Sequence, residues 1–211
     1  MIARVALLGA SLLVSSIGTA WAQATPADKP GPVGLDNDYV HVSRDVAPCA
    51  SASTPGCEDR IVVAIGKTKV TSGKTHHNLI KGQVAVFKKG DTYSVAGGPF
   101  FEVAIKPDHP PVKSPAEIIA PAKNAIVYSG EKFFVYEEKL GVGDTRPRHS
   151  HSQRVEIRLN IGPLLDQWLD PPAKPVLPST VNFRQAGIHT TKNVGDMPLR
   201  NLIVEFKPEP K

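Results

Sequence analysis

Proline and glycine are plentiful in this chain and spread between short apolar runs. Its 211 residues include 20 prolines and 17 glycines. Between them lie short runs rich in Val, Ile and Phe, such as Arg60-Ile-Val-Val-Ala-Ile65 and Leu202-Ile-Val-Glu-Phe206. Proline lacks an N–H donor and fixes φ, and glycine favours turns, so such runs read as strands joined by turns. Helical periodicity is scarce. The sequence therefore predicts an all-β chain, either one large domain or two small ones.

The first two dozen residues are expected to stand outside that fold. Met1-Ile-Ala-Arg4 is a short basic start, and Val5 to Ile17 is an apolar run of signal-peptide length. It is too short to be a comfortable membrane span. Ala20-Trp-Ala-Gln-Ala24 offers small-x-small cleavage sites after Ala22 or Ala24. Residues 1–24 are thus expected to be a signal peptide, which places the mature chain in the periplasm or outside the cell. An uncleaved anchor is the alternative. No later apolar run is long enough to cross a bilayer.

Charge and cysteines narrow the partners. The formal net charge of +5 is scattered over strands and loops. There is no dense basic stripe, so no nucleic-acid partner is expected; a small anionic molecule is. Cys49 and Cys57 have seven residues between them. In an oxidising compartment they are expected to form a loop-stapling disulfide. A free thiol or a metal pair is the alternative, although metal pairs more often come closer together and with further soft ligands.

One unit occurs twice. Asp38-Tyr-Val-His-Val-Ser-Arg44 opens a first copy and Glu131-Lys-Phe-Phe-Val-Tyr-Glu137 a second. Phe101-Glu-Val-Ala-Ile-Lys-Pro107 closes the first and Leu202-Ile-Val-Glu-Phe-Lys-Pro208 the second. Between these ends, Arg60 to Ile65 answers Arg154 to Leu159, and Lys89-Gly-Asp-Thr-Tyr93 answers Gln185-Ala-Gly-Ile-His189. The shared order and spacing make the repeat credible. The copies are expected at residues 33–110 and 121–208, joined by the proline-rich stretch that begins at Pro107 and runs through Pro121.

The second copy holds a chemically loaded segment. His149 and His151 are two apart, so on an extended chain their imidazoles point the same way. Beyond them, Val155, Ile157, Leu159 and Ile161 alternate with Arg154, Glu156, Arg158 and Asn160. If His149, His151 and Glu156 share a metal, the polar side lines a cavity. The apolar side must then pack outside it, against the other copy or a partner chain. The ordinary alternative for histidines in an Arg/Ser-rich loop is plain solvent exposure. His76 and His77 are adjacent and would diverge on a strand; they read as loop residues.

The spacing Gly143-x5-His149-x-His151-x4-Glu156, followed by Gly162, resembles the first motif of the cupin superfamily. Gly187-Ile-His189-Thr-Thr-Lys-Asn193 resembles the end of its second motif, with one residue fewer between glycine and histidine and without the usual preceding proline. The likeness covers residues 121–208 well and roughly 33–110 only as fold. It implies two tandem double-stranded β-helix (cupin jelly-roll) units. It also implies a divalent metal held by His149, His151, Glu156 and His189, a set that suits Mn, Fe, Ni, Co or Zn without choosing among them. The first copy departs from the motif. Val62 stands in the place of Glu156, Tyr93 in that of His189, and the Cys49–Cys57 loop in that of the His-x-His segment. It is expected to be a structural or dimer-like partner, and a homodimer is compatible with this.

Arg154 and Arg158 flank Glu156 on the same face and are candidates to clamp a carboxylate. A supporting salt bridge to Glu156 is the other reading. Arg148, like Arg146, is expected at the rim of the entrance, and Asn193 is expected to pin a turn. Leu164, Leu165, Trp168 and Leu169 form an apolar cluster that reads as core or as a pocket wall. The resemblance implies a metal-dependent dioxygenase or related enzyme acting on a small oxyanionic, metal-chelating molecule. A periplasmic binding protein without turnover and an envelope module with a vestigial site are the alternatives. The catalytic residues themselves are not legible.

Overall fold

The computed structural model describes residues 33–51, 57–113, 124–160, 164–168, 174–176 and 181–208. The leader, the stretch from Pro26 to Pro32, residues 114–121 of the Pro107–Pro121 link, Gly162, Leu169 and the prolines at 171, 172 and 178 lie outside the described residues. Among the described residues every regular element is a strand.

The N-terminal unit has a five-stranded sheet. Its order is β1 (Val33–Asp36), β2 (Val40–Arg44), β8 (Phe100–Ile105), β3 (Arg60–Ala64) and β6 (Val84–Phe87). A three-stranded sheet of β5 (Thr75–Leu79), β4 (Thr68–Ser72) and β7 (Ser94–Gly97) completes it. The C-terminal unit repeats the plan. Its five-stranded sheet runs β9 (Asn124–Ser129), β10 (Phe133–Leu140), β17 (Leu199–Phe206), β12 (Arg154–Arg158) and β15 (Val181–Arg184). Its second sheet runs β11 (Thr145–His151), β16 (Gly187–Asn193), β13 (Leu164–Trp168) and β14 (Lys174–Val176).

The correspondence extends to register. Arg60 stands across from Ala104 and Val62 from Glu102, whereas Arg154 stands across from Glu205 and Glu156 from Ile203. Val62 thus matches Glu156, and Ala104 matches Glu205. Only β11 lacks a described counterpart strand. In its place the first unit has the loop closed by the Cys49–Cys57 disulfide. The Cys49 amide donates to Glu102 at 3.0 Å, and the Tyr93 amide donates to Ala50 at 3.1 Å. Glu102, fully buried, also accepts from the Tyr93 hydroxyl.

Strand alternation explains how the units join. Val40, Val42, Ile61, Val63, Phe101 and Val103 form one contiguous core with Phe133, Val135, Val155, Ile157, Leu202 and Val204. The two five-stranded sheets therefore lay their apolar faces on one another. The opposite faces turn into the separate barrels. In the first unit that interior is largely apolar, built from Val62, Ala64, Val70, Leu79, Phe87 and Phe100. In the second it carries Tyr136, Glu138, Arg154, Glu156, Arg158, Asn201 and Glu205, all buried. The apolar side of residues 154–159 thus packs against the other copy, one of the two placements expected from the sequence. His76 and His77 correct another expectation. They lie on β5, in a hairpin with β4 turned by Gly73 at φ 57°, and are exposed.

Because both units share one core, neither is expected to melt alone. Ile157→Ala should cost about 2–5 kcal/mol through lost burial and the cavity left behind. Urea unfolding followed by tryptophan fluorescence and by far-UV circular dichroism should still give one coincident transition.

Candidate metal centre

Three imidazoles converge inside the second barrel. His149 and His189 are direct partners across the β11–β16 ladder, and His151 lies two residues further along β11. Ring centroids are 4.7 Å apart for His149–His151, 4.5 Å for His149–His189 and 5.0 Å for His151–His189. One nitrogen from each falls within 4.8 Å of the others, and all three residues are buried. His149 Nε2 and His189 Nε2 are 2.9 Å apart.

Local sequence sets this aim. The β11–β16 register slips between Arg146 and His149, where Pro147 has no N–H to give the ladder. The freed Pro147 carbonyl accepts from His149 Nδ1 at 2.7 Å, which leaves Nε2 of that ring as a lone pair facing inward. Gly143 adopts φ 78° in the turn before β11, a conformation that favours glycine. Its amide donates to the Asn193 carbonyl at 3.0 Å. The Asn193 side chain donates to Leu140 and Met197 carbonyls and accepts from the Gly195 amide, so it pins a turn as expected.

Glu205 grips the second histidine. Its Oε2 lies 2.8 Å from His151 Nδ1 and accepts from the Tyr136 hydroxyl at 2.8 Å. Its Oε1 accepts from the Ser152 amide at 2.8 Å. Burial raises the Glu205 carboxyl above the usual range, against the lowering effect of those hydrogen bonds. Burial, with Glu205 nearby, also raises Tyr136.

Glu156 stands apart from the three imidazoles. Its oxygens accept from Arg154 Nε at 2.9 Å and Arg184 Nε at 3.2 Å. Burial opposes charge on this carboxyl, but the two guanidiniums outweigh it and hold Glu156 below the usual range. The salt-bridge reading of Arg154 is therefore the one the structure adopts. Arg158 is buried on the same face as Glu156. Arg148 is half-buried beside His149, on a strand whose neighbouring side chains alternate in direction.

Arg146, expected at the rim with Arg148, is instead fully buried. It is ion-paired with Glu138, which also accepts from Asn201 at 3.1 Å. The bulge at Pro147 reverses the parity that the sequence suggested. Glu138, Arg184 and Glu205 were not singled out in the sequence at all. The signal for Glu205 is a charge within the apolar run Leu202–Phe206 where the first copy has Ala104.

The electrostatics keep the imidazoles neutral. Burial, reinforced by Arg146, pushes His149 down to about 4. Burial, reinforced by Arg154, pushes His151 and His189 lower still. Neutral imidazole is the form that binds a metal.

No family model matches the chain, and no curated protein matches it. Solved structures do. An IolB-like protein from Salmonella typhimurium LT2 superposes with a TM-score of 0.57 at 15% identity, over 82% of this chain and 85% of that one. The Cupin 2 conserved barrel domain protein from Leptotrichia buccalis gives 0.51 at 11% identity, over 82% and 86%. This chain has a duplicated cupin fold. Bacillus subtilis oxalate decarboxylase, a protein with Mn(II) centres, gives 0.57 at 13% identity, over 82% of this chain and 70% of that one. At such identities the likeness is one of fold. Within this cupin pair, the inward histidine cluster belongs to the C-terminal unit.

The depressed imidazoles predict acid sensitivity of the chain. Each histidine has a folded pKa below its unfolded value of about 6.5. Its contribution to stability is complete above that value and declines as pH falls, because the unfolded chain takes up the proton first. Between about pH 6.5 and 4 each such imidazole should remove up to about 1.4 kcal/mol per pH unit. Urea midpoints at pH 7, 6 and 5 should fall accordingly, and His149→Gln should make the fall shallower. Midpoints that stayed level would contradict the burial of neutral histidines.

Proposed function

We propose that the C-terminal cupin unit is the divalent-metal centre of an exported, metal-dependent enzyme acting on a small oxyanionic molecule. The convergence of three neutral, buried imidazoles carries this reading. The donor set fits an ion. Two nitrogens bound about 2.1 Å from one metal at a right angle are about 3 Å apart, close to the 2.9 Å between His149 and His189 Nε2. Imidazole donors suit Mn, Fe, Ni, Co or Zn. His149, His151 and His189 would hold the metal, with Glu156 retained by Arg154 and Arg184 as a charge partner. A divalent ion there would supply Lewis acidity and open positions for a chelating substrate.

The barrel wall supports an anionic substrate. Arg146 and Arg154 are buried close enough to act electrostatically on the cluster, and Arg158 is buried on the same strand as Arg154. Among the described residues, Arg146 Nε and Nη2 and Arg154 Nη2 have no hydrogen-bond partner. Buried N–H groups of this kind favour a bound oxyanion, with the positive field strengthened by the dry surroundings. Turnover by a dioxygenase or a related enzyme accounts for a metal site with such a wall. Export to the periplasm or beyond is supported by the apolar run Val5 to Ile17 and by the Cys49–Cys57 disulfide.

Elemental analysis of gently purified protein should give about one transition metal ion per chain. His149→Ala and His189→Ala should each lose it, whereas Glu156→Ala should keep most of it. Metal-free wild-type protein that also fails to take up Mn, Fe, Co, Ni or Zn on dialysis would overturn the reading. Oxygen uptake and decarboxylation assays with small carboxylates then test turnover.

A further inference from the structure

We propose that Glu205 is the positioning residue of the histidine cluster. Its carboxylate holds His151 in the tautomer with hydrogen on Nδ1 and so turns Nε2 toward His149 and His189. The inference rests on the metal reading for its consequence, though its geometry stands by itself. Oε2 accepts from His151 Nδ1 at 2.8 Å, and a carboxylate oxygen can only accept from a neutral imidazole. The carboxylate cannot rotate freely, because Ser152 N–H fixes Oε1 and Tyr136 O–H fixes Oε2, each at 2.8 Å. His149 reaches the same tautomer by another route, through the Pro147 carbonyl.

The chain contains its own control. The matching position in the first unit is Ala104, across the ladder from Arg60 as Glu205 is from Arg154. That barrel has Tyr93 and a disulfide loop where the second has its histidines. Its own buried carboxylate, Glu102, sits at the place of Ile203 and accepts from Cys49 and Tyr93. The fold therefore accepts alanine at the Glu205 position. A buried carboxylate is costly unless it is paired and hydrogen-bonded, and at this position the acid is present only in the unit that holds the imidazoles. Carboxylates that orient metal-binding imidazoles commonly contribute about 10–100-fold to metal affinity.

Glu205→Gln separates this role from simple structural support. The glutamine oxygen can still accept from Ser152, which aims its NH2 at His151 Nδ1. Although the Tyr136 hydroxyl also lies 3.1 Å from His151 Nδ1, the closer NH2 then favours that nitrogen as an acceptor, and its hydrogen moves to Nε2. Nitrogen-15 NMR of the metal-free full chain should show His151 protonated on Nδ1 in the wild type and on Nε2 in Glu205→Gln. Competition titration with Zn2+ alone should show affinity weaker by about 10–100-fold. Tyr136→Phe keeps the carboxylate and should leave the tautomer as in the wild type. Should Glu205→Gln fail to fold, Glu205→Ala reproduces the side chain of Ala104 and should show the same loss of Zn2+ affinity.

An unchanged tautomer in Glu205→Gln, or Zn2+ affinity within twofold of wild type in a folded variant, would overturn the proposal. If the wild type binds no Zn2+, the metal reading falls by itself. The tautomer measured in the metal-free chain then decides the role of Glu205 alone.

Discussion

The contact between the two five-stranded sheets governs everything else in this molecule. A strand has two faces, and a small β domain ordinarily spends its apolar face on its own interior. Here Val155, Ile157, Leu202 and Val204 spend theirs on the neighbouring unit. The second barrel is thereby released from supplying the core. Its interior can hold arginines, carboxylates and histidines that would ruin an isolated domain of this size. The first unit provides the opposing apolar surface and fills its own barrel with Val62, Val70, Phe87 and their neighbours.

Burying so many charges is tolerable because most are paired. Arg146 is matched to Glu138, and Arg154 and Arg184 to Glu156. Buried pairs of this type add little net stability, yet removing one partner is strongly destabilising. They are best understood as a frame that fixes where positive charge stands around the imidazoles. Neutrality of the histidines follows from the same frame, since burial and nearby guanidiniums both disfavour a proton on them.

The fold was legible because repetition and alternation are properties of sequence order. The pairing of Phe101–Pro107 with Leu202–Pro208, read from residues alone, agrees with the ladder registers, and the pairing of Val62 with Glu156 follows from it. His149, His151 and His189 were legible because a two-residue spacing and a recognisable motif end carry geometry with them. Other features depend on contacts between distant strands. The contact between Arg184 and Glu156 is not legible in the chain, because the two residues lie 28 apart on separate strands. Arg146 was placed at the rim because a bulge inverts side-chain parity, and bulges leave a weak trace in sequence. Glu205 sits 54 residues from His151, within a strand whose apolar neighbours mask it.

The strand that carries His149 and His151 is the outermost member of its sheet, with β16 as its sole described ladder partner. The first unit exchanges that strand for a disulfide-closed loop and leaves the rest of its strand order unchanged. The edge that carries two of the three clustered histidines is thus a detachable part. A duplicated fold built this way can gain or lose two of its three clustered histidines by rewriting one border strand, with the shared core left untouched. Grafting a β11-like segment between residues 49 and 57, together with Tyr93→His, is the corresponding engineering route to a second histidine cluster.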